Sequence, residues 1–564
     1  MRLRLAACLA LVLCADRLGR AEPPALSPVP TSGGSGGSGR VVLLTPAGEG
    51  GWPELARLAA DLDRAAVEMA LQVPLALPAL KAKPITIAVA PDFVAQARET
   101  EEIGAAVLGG RGDITLVYQP DDLFADRHAL AQVLLARSGL TSHASPWIVR
   151  GAALWLSGGW YGRPWRDWLS RLAAARVLPT AEQLLSTAEQ RDASAPLWTP
   201  VAAAVVDRLP GRTLAEKLAR PPALSIVSGI LAELARLPPP PAPRPPGPPP
   251  AFLKGVSLAM LNRLEEGYHA PVLDARLSGL SRLGVNAVSL MPFAYQRAPD
   301  QPGLAYLNRH PGSETDTGLI HAVRRAHAHG MTVLYKPHLW VGRDSWPGDV
   351  AMKTEADWAL WWTGYRRFVL HHAMLAGWAG ADLFSLGCEL AKTTGRLAEW
   401  RDLIAAARLL YPGRLTYAAN WGGDLEQVAF WDRLDVAGVD AYYPLTEDPK
   451  AGAVKLAAGA QAVVAHLEAV AHRIGKPLLL TEVGFAARAG TWTAPHLEGG
   501  TYSEEDQAAA YTALFAALGH RPWLAGTFVW KAFSGGEAGW HRDEADFRFL
   551  GRRAEGVVRK YYGR

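Results

Sequence analysis

Cysteine is scarce in this sequence, and the positions of the few cysteines exclude two classes of site. The chain has 564 residues and three cysteines, Cys8, Cys14 and Cys388. The first two lie in an N-terminal segment that we expect to be cleaved, which would leave Cys388 alone. The processed chain could then form no internal disulfide and no cysteine-based metal site.

An excess of one charge and long hydrophobic runs are also lacking. The formal net charge is +4 and the basic residues are scattered, which argues against a nucleic-acid partner. The apolar run 5–13 follows a basic start at 1–4 and is too short to span a bilayer. This pattern predicts a signal peptide over residues 1–21 and a secreted or periplasmic protein. A lipid anchor on Cys14 is the alternative, and it is the only route by which we expect a membrane to be a partner.

Glycine and proline divide the chain into two domains. Residues 22–39 contain a Gly/Ser-rich run and are predicted to be a flexible spacer, so that structure begins near Arg40. Residues 238–250 are almost all proline, which is typical of a stiff polyproline II linker. We therefore predict a smaller, mainly α (α+β) N-domain over 40–237 and a larger C-domain over 251–564.

The C-domain alternates short apolar runs with amphipathic stretches, including predicted helices at 356–378 and 507–518. The predicted strands lie at 255–260, 287–292, 332–338, 383–388, 415–419, 436–441, 477–480 and 526–530. Eight strand–helix units in about 310 residues favour an α/β fold of the (β/α)8 (TIM) barrel type over a doubly wound sheet. In such barrels the functional side chains follow the carboxyl ends of the strands.

Two glutamates stand at such strand ends. Glu389 follows the fourth predicted strand and Glu482 follows the seventh. Two carboxylates about 5 Å apart are the catalytic pair of a retaining glycosidase, one ionised to attack the anomeric carbon and one protonated to release the leaving group. The alternative is that each glutamate makes a structural salt bridge at its strand end.

The segments around both glutamates resemble those of clan A glycoside hydrolases, most closely family 113, which contains β-mannanases. The segments that carry the resemblance are Leu386-Gly387-Cys388-Glu389-Leu390 and Leu480-Thr481-Glu482-Val483-Gly484-Phe485, supported by 255–257, 333–340, 526–530 and 549–554. The resemblance covers about residues 251–564. It implies that Glu389 is the general acid/base and Glu482 the nucleophile, with no catalytic metal and no cofactor.

The resemblance also implies a set of substrate-binding residues. Trp530 would form the floor beneath the sugar at the cleavage point, and either Tyr442 or Tyr443 would hydrogen-bond the nucleophile. The residues expected to line the glycone side are His338, Lys336, Trp340, Asn420 and Trp421. Two of these have an alternative reading, since Lys336 could pair with a neighbouring carboxylate and Trp421 could belong to the core.

One position departs from the clan pattern. Much of the clan has Asn immediately before the acid/base, where it binds the sugar 2-hydroxyl, and this chain has Cys388 there. A thiol is a poor hydrogen-bond donor. Either another group binds that hydroxyl, or the site favours a sugar such as mannose, whose 2-hydroxyl points elsewhere.

The N-domain resembles a zinc metallopeptidase of the gluzincin type whose ligands are missing. In that family a helix carries His-Glu-x-x-His, and a later helix supplies a glutamate ligand. In this chain His128 remains, but Ala129 and Gln132 replace the other two residues and Arg150 stands at the expected glutamate position. The resemblance implies a non-catalytic scaffold; the alternative is an unrelated helical domain with a lone histidine.

Two hypotheses for the whole chain follow. The first is an exported retaining glycoside hydrolase acting on a β-linked polysaccharide or oligosaccharide, with an endo-β-1,4-mannanase as one candidate. The second is a non-catalytic carbohydrate-binding or cell-envelope assembly protein on a barrel scaffold. The first is favoured because both barrel glutamates are intact while the peptidase ligands are not. The oligomeric state is not predicted.

Overall fold

The computed structural model describes most of the two predicted domains. The described residues are 26–29, 39–46, 53–73, 77–117, 127–187, 195–241, 251–261, 263–306, 310–342, 345–536 and 544–563. The predicted signal peptide, most of the Gly/Ser-rich run and residues 242–250 of the proline-rich linker therefore lie outside the described residues.

The C-domain is a closed barrel of eight parallel strands, which confirms the predicted fold class. In chain order the barrel strands are Leu253–Ala259, Ala287–Leu290, Thr332–Tyr335, Leu383–Cys388, Arg414–Asn420, Ala437–Asp440, Leu478–Val483 and Leu524–Phe533. Each strand pairs with the next, and the eighth pairs with the first. We refer to them below as barrel strands one to eight.

Burial on both faces explains why these strands read as continuous apolar runs. Every residue of barrel strand four and of barrel strand seven is buried, as expected where helices cover the outside of a parallel sheet. The inward-facing side chains fill the barrel rather than leaving a pore. One such buried cluster consists of Leu253, Ala287, Leu334, Leu383, Val436, Leu479 and Phe528.

Helices follow the strands around the outside of the barrel. They are Val272–Arg282, Asp316–Ala328, Glu355–Ala379, Leu397–Leu410, Asp424–Gln427, Ala453–Ile474, Glu504–Leu518 and Arg553–Tyr562. Glu355–Ala379 begins at Thr354, whose hydroxyl accepts from the Asp357 amide, and ends at Gly380, whose φ of 86° is readily adopted by glycine. Among the described helices, Ala453–Ile474 is long and apolar enough to cross a membrane by length and composition. It connects barrel strands six and seven and packs Leu456, Val464 and Leu467 into the core.

A small second sheet extends the barrel beyond its mouth. Its strands are Phe293–Gln296, flanked by Leu304–Tyr306 and His338–Val341. The sequence predicted one strand over 332–338, whereas the structure has two, separated at Lys336 and Pro337. Proline has no amide hydrogen to donate and therefore interrupts the ladder. The chain then leaves the barrel and pairs with the segment that follows barrel strand two.

The N-domain is an α+β unit with more helix than strand, as predicted. Its five-stranded sheet has the order Leu26–Pro28, Val41–Pro46, Ile85–Ala90, Ile114–Val117, Ala106–Leu108, with both outer strands antiparallel to their neighbours. Gly159–Trp160 and Arg163–Pro164 form a separate short hairpin. The helices are Pro53–Ala70, Leu77–Ala82, Phe93–Thr100, Arg127–Ser138, Pro146–Ser157, Leu169–Ala174, Ala181–Leu185, Ala195–Arg208, Leu214–Lys217 and Leu224–Leu234.

The prediction that structure begins near Arg40 is wrong. Leu26–Pro28, inside the predicted spacer 22–39, pairs with Val41–Pro46, and the Val29 amide donates to the Leu43 carbonyl at 2.9 Å. This segment precedes the Gly/Ser-rich run and has apolar side chains that can be buried, and its backbone satisfies the exposed edge of the sheet. Compositional bias over the whole spacer concealed this short strand.

Polar contacts and close packing join the N-domain to the barrel. The Arg366 guanidinium, on helix Glu355–Ala379, donates to the Ala175 carbonyl, and the Arg171 guanidinium donates to the Leu409 carbonyl at 2.7 Å. Gly162, in the short hairpin, has no room for a side chain because a Cβ there would lie 2.1 Å from the Trp378 ring. The N-domain thus packs against outer helices of the barrel.

Candidate active site

Both predicted glutamates lie at the mouth of the barrel. Glu482 is the fifth residue of barrel strand seven, and Glu389 immediately follows barrel strand four. Glu389 has a φ of 54°, a left-handed conformation that is uncommon for a residue with a side chain. Its amide donates to the Ala418 carbonyl of barrel strand five at 2.8 Å, which holds this turn in place. Backbone strain of this kind, about 1–3 kcal/mol, is often found at functional sites.

Glu482 is held by a buried cation and a phenol. The Lys336 ammonium, at the end of barrel strand three, donates to Oε1 of Glu482 at 2.6 Å. The Tyr442 hydroxyl, after barrel strand six, donates to Oε2 at 2.6 Å. All three side chains are buried. Both carboxylate oxygens therefore accept a hydrogen bond, and one of the donors carries a positive charge.

A third carboxylate, Asp440, completes this network and was not predicted from the sequence. Lys336 donates to its Oδ1 at 2.9 Å, the Thr481 hydroxyl donates to the same oxygen at 2.7 Å, and the Cys388 thiol donates to Oδ2 at 3.1 Å. Asp440 is the last residue of barrel strand six. The strand-end rule that selected Glu389 and Glu482 would also have found it, but the predicted strand 436–441 placed it inside the strand.

Glu389 is held by neutral donors only. The Asn420 side-chain amide donates to its Oε1 at 2.7 Å, and the Trp346 indole donates to its Oε2 at 2.8 Å. Asn420 ends barrel strand five, whereas Trp346 comes from the loop after the small second sheet. Trp346 was not predicted as a site residue, since an irregular loop gives no periodic signal. Asn420 was expected to line the glycone side and instead contacts the predicted acid/base.

Burial and mutual repulsion raise the pKa of both glutamates. Loss of water, followed by the negative charge of Asp440, raises the pKa of Glu389 and that of Glu482 above their usual range. The Lys336 ammonium opposes this rise at both positions, and of the two glutamates it is hydrogen-bonded to Glu482. Nearby carboxylates raise the pKa of Lys336, despite its burial, so it stays charged. We therefore assign the negative charge of the pair to Glu482 and the proton to Glu389, whose donors are both neutral.

His338 lies next to Glu482, and its ring faces the Trp530 indole. Nε2 of His338 is 3.9 Å from Oε1 of Glu482, and the imidazole lies nearly parallel to the Trp530 indole with ring centroids 6.4 Å apart. Burial and the nearby Lys336 cation hold the pKa of His338 well below its usual range, so the ring is neutral. These two rings form a flat wall beside Glu482.

The remaining predicted residues divide between the mouth and its surroundings. Tyr443 does not contact Glu482; its ring packs against Trp421, with centroids 5.8 Å apart, and against His466. Of the two adjacent tyrosines, Tyr442 is thus the one that reaches Glu482. Trp421 is partly buried and also lies 5.6 Å from the His496 ring. Trp340 is 61% exposed, two residues beyond His338.

Three side chains at the mouth could in principle coordinate a metal. One donor atom from each of His338, Cys388 and Glu482 lies within 4.8 Å of the others. Lys336 already binds one oxygen of Glu482, and the Cys388 thiol donates to Asp440. Burial raises the pKa of that thiol well above its usual range, which opposes the thiolate form that metals bind. These three side chains therefore do not fit a divalent cation. The expectation that catalysis needs no metal remains a prediction.

The N-domain positions that resemble a peptidase site lie on two packed helices. His128 is on Arg127–Ser138 with its ring 5.5 Å from the Trp160 ring, and Ala129 beside it is buried. Arg150 is on Pro146–Ser157, with its guanidinium 5.1 Å from the Trp147 ring. Gln132 is partly buried one turn after His128. None of His128, Ala129, Gln132 and Arg150 has a carboxylate side chain. These four residues therefore do not form a zinc site of the peptidase type.

Comparisons with known proteins relate the barrel to one enzyme family. Residues 262–541 match the model of Glycoside Hydrolase Family 113. The chain is similar to the GH113 β-mannanase AaManA from Alicyclobacillus acidocaldarius, solved in complex with ManMIm, with 27% identity, 56% of this chain and 98% of that chain covered, and a TM-score of 0.49. A GH113 β-1,4-mannanase solved as a complex is 24% identical to this chain. The match covers 56% of this chain and 99% of that chain, with a TM-score of 0.49. No curated protein matches the chain.

The family match and the described barrel overlap almost completely. The match contains both glutamates, Lys336, Asp440 and Trp530, while barrel strand one and the last helix, Arg553–Tyr562, lie outside it. The prediction of a glycoside hydrolase is confirmed. Residues 262–541 form a glycoside hydrolase family 113 domain, and the protein is a glycoside hydrolase.

Proposed function

We propose that this enzyme hydrolyses a β-linked polysaccharide with retention of configuration, by double displacement. Glu482 is the nucleophile and Glu389 the general acid/base. The observation that carries this proposal is the difference between their hydrogen-bond donors. Glu482 accepts from a charged ammonium, which stabilises a carboxylate, as well as from a phenol, whereas Glu389 accepts from two neutral groups.

In the first step, a Glu482 carboxylate oxygen attacks the anomeric carbon. The bond from that carbon to the glycosidic oxygen breaks, and Glu389 gives its proton to the departing oxygen. The products are a glycosyl ester on Glu482 and a shortened chain with a free hydroxyl. Lys336 stays bound to Asp440 and Glu482 throughout, and Tyr442 orients the attacking carboxylate.

In the second step, water enters where the leaving group was. Glu389, now ionised, takes a proton from this water, and the hydroxyl attacks the anomeric carbon. The ester bond to Glu482 breaks, which returns Glu482 as a carboxylate and Glu389 as an acid. Two inversions give net retention.

For the sugar, we propose a mannan-type backbone. The group before the acid/base is the Cys388 thiol, and its hydrogen is already directed at Asp440. It is therefore a poor partner for an equatorial 2-hydroxyl, whereas the 2-hydroxyl of mannose is axial and points elsewhere. A glucan would leave that hydroxyl without this contact.

Release of reducing sugar by the full chain from β-mannan, glucomannan, β-glucan and xylan tests the activity and the substrate together. Glu482→Ala should lower kcat by at least ~10³-fold because it removes the covalent nucleophile. Glu468→Ala, a glutamate on the outer helix Ala453–Ile474, is the matched control and should keep wild-type activity. Binding of a glycan by wild-type protein without cleavage would support the alternative of a carbohydrate-binding protein.

We also propose that the protein is exported and that its N-domain has no peptidase activity. Export is supported by the basic and apolar N-terminal segment, residues 1–21. The mass of the mature N-terminus tests it, since an intact Met1 in the secreted or periplasmic fraction contradicts cleavage. The second proposal is supported by the identities of Ala129, Gln132 and Arg150.

A further inference from the structure

Trp346 contacts the acid/base, Glu389, from a connection outside the barrel. Its indole N–H donates to Oε2 of Glu389 at 2.8 Å, and the Asn420 side-chain amide donates to Oε1 at 2.7 Å. Asn420 is the last residue of barrel strand five, so the barrel itself fixes its position. Trp346 stands between strand His338–Val341 and helix Glu355–Ala379, and its position on Glu389 needs another cause.

A short turn fixes the Trp346 side chain. Pro347–Asp349 forms a single turn of 3-10 helix directly after Trp346, and the Asp349 amide donates to the Trp346 carbonyl at 3.0 Å. The indole ring lies over Gly348, where a Cβ would be 2.2 Å from the ring carbon Cη2. Val350, the next residue after the turn, is buried. The turn is therefore anchored in the core, and the glycine leaves the space in which the ring lies.

An ion pair joins this turn to the segment that follows the acid/base. The Lys392 ammonium, in the turn Ala391–Thr393, donates to Oδ1 of Asp349 at 2.7 Å. The Ala391 amide donates to the Glu389 carbonyl at 2.9 Å, so this second turn begins at the acid/base. Both partners of the ion pair are exposed, and such pairs add little to stability. This one connects the two turns directly at the surface.

A neutral hydrogen-bond donor on Oε2 has a defined effect on an acid. When Glu389 gives its proton to the departing oxygen, negative charge develops on its carboxylate. The hydrogen bonds from Trp346 and Asn420 strengthen with that charge, because an ionised acceptor makes a stronger hydrogen bond than a neutral one. Both donors therefore favour release of the proton. They also oppose the rise in the pKa of Glu389 that burial and Asp440 cause.

The ionisable groups around Glu389 act on it through space. They lie on or just after barrel strands three, four, six and seven, and they are Lys336, Cys388, Asp440, Tyr442 and Glu482. Among the described residues, the hydrogen bonds to the Glu389 carboxylate come from Trp346 and Asn420. A substitution at Trp346 thus removes one hydrogen bond and leaves each of these ionisable groups in place.

We propose that Trp346 is a positioning residue for acid catalysis, which orients Oε2 of Glu389 and stabilises the carboxylate that forms as the glycosidic oxygen departs. The turn Pro347–Asp349 places the indole, and the ion pair between Asp349 and Lys392 keeps this turn beside Glu389. The inference rests on the proposed function, because it gives Trp346 a part in the acid step. In that step the proton passes from Glu389 to the glycosidic oxygen, and the indole keeps its own hydrogen.

The first test removes the indole N–H and keeps an aromatic ring. In Trp346→Phe the pKa of Glu389 should rise, so the alkaline limb of the kcat/KM profile should move to higher pH. Below that limb, kcat/KM should fall about tenfold for a phenyl β-mannobioside and stay within about twofold for the dinitrophenyl β-mannobioside, whose leaving group needs little protonation. The corresponding glycosides serve if another β-glycan is cleaved.

Trp155→Phe is the matched control for this substitution. The Trp155 indole also donates to a carboxylate at 2.8 Å, that of Asp207 in the N-domain. The control should keep the wild-type pH profile and the wild-type ratio between the two leaving groups. For Trp346→Phe, an unmoved alkaline limb or equal losses on the two substrates would overturn the proposal, since a merely structural role predicts both.

A second variant moves the ring without removing it. The Cβ of Gly348→Ala would meet the indole, and the ring, whose residue is 38% exposed, must shift to make room. Gly348→Ala should therefore move the alkaline limb in the same direction as Trp346→Phe. Gly395→Ala is the control, because a Cβ at that position meets nothing within 4 Å. Identical pH profiles for the two alanine variants would show that the turn does not place the indole.

A spectroscopic measurement separates this proposal from the proposed function. The indole N–H resonance of Trp346, assigned by its loss in Trp346→Phe, should move with pH as Glu389 loses its proton and should not move in Glu389→Gln. If the wild-type chain cleaves no glycan but this titration is seen, the proposed function fails while Trp346 still controls the ionisation of Glu389. If glycan is cleaved and the resonance does not titrate, the role of Trp346 fails alone.

Discussion

The barrel mouth and the helix pair of the N-domain both resemble enzyme sites in the sequence. They differ in whether they bury charged side chains. The mouth buries Lys336 in contact with both Asp440 and Glu482, with Glu389 nearby. The N-domain pair has a buried alanine, Ala129, where a catalytic carboxylate would be expected from the resemblance.

Burying a charge costs several kcal/mol unless it is paired, and even a paired charge contributes little net stability. A network of three buried charges is therefore a poor way to stabilise a fold and a good way to set the protonation of a nucleophile. The N-domain helices avoid the cost of burying charge, because apolar residues such as Leu130, Leu134 and Ile148 fill their core. The difference teaches that the location of buried charge, more than a motif fragment, marks where chemistry takes place.

The largest effect on activity is expected from removal of the buried Lys336 cation, which tests the comparison most severely. Lys336→Met should lower kcat by about 10²-fold or more, because Glu482 and Asp440 would then lie together without a positive charge and Glu482 would be protonated. The acid limb of the kcat/KM profile should move to higher pH. The unpaired carboxylates should also lower the free energy of unfolding, by about 3–5 kcal/mol. A folded variant with wild-type kcat and an unmoved acid limb would show that the cation has no role in catalysis.

Removing the charge of Asp440 should have a smaller effect with a defined sign. Glu389 must be protonated to act as an acid, and its raised pKa predicts that wild-type activity persists above the usual carboxyl range and falls as pH rises through that raised pKa. Asp440 raises the pKa of Glu389, so Asp440→Asn should move this alkaline limb to lower pH. Thr481→Val removes a neutral donor to Asp440 and should move it less. An alkaline limb that moves upward in Asp440→Asn would contradict the assignment.

The smallest effect is expected in the N-domain. His128→Ala should leave glycan hydrolysis within about twofold of wild type, since its ring packs against Trp160 within the N-domain. Metal analysis of the full chain should show no stoichiometric zinc before or after the substitution. Stoichiometric zinc that disappears in His128→Ala would break the comparison, because the N-domain would then contain a metal site.

The sequence was sufficient to predict the barrel and the position of the two glutamates at its mouth. Runs such as 383–388 and 477–480 are apolar throughout because both of their faces are buried, and a polar residue directly after such a run falls at the barrel mouth. The structure extends the second of these strands to Val483, so that Glu482 lies near its end rather than after it. Regular structure of this kind is encoded locally.

The rest of the site depends on contacts between distant segments. Asp440 and Lys336 lie 104 residues apart, and no local pattern reveals that they share a salt bridge with Glu482. The sequence left open whether Lys336 pairs with a carboxylate or lines the glycone side; it pairs with two carboxylates, one of them the predicted nucleophile. Tyr442 and Tyr443 could not be told apart from the sequence. Adjacent side chains point in different directions, and the backbone conformation decides which of the two faces Glu482. Trp346 reaches Glu389 from an irregular loop, which gives no periodic signal.

The most direct test of the central claim is the configuration of the first product. Hydrolysis of a β-linked oligosaccharide by the full chain can be followed by proton NMR at early times, before the anomers of the product equilibrate in water. Double displacement through Glu482 predicts that the β-anomer forms first. If the α-anomer forms first, the enzyme inverts configuration, Glu482 is not a covalent nucleophile, and the roles assigned here to Glu482 and Glu389 are wrong.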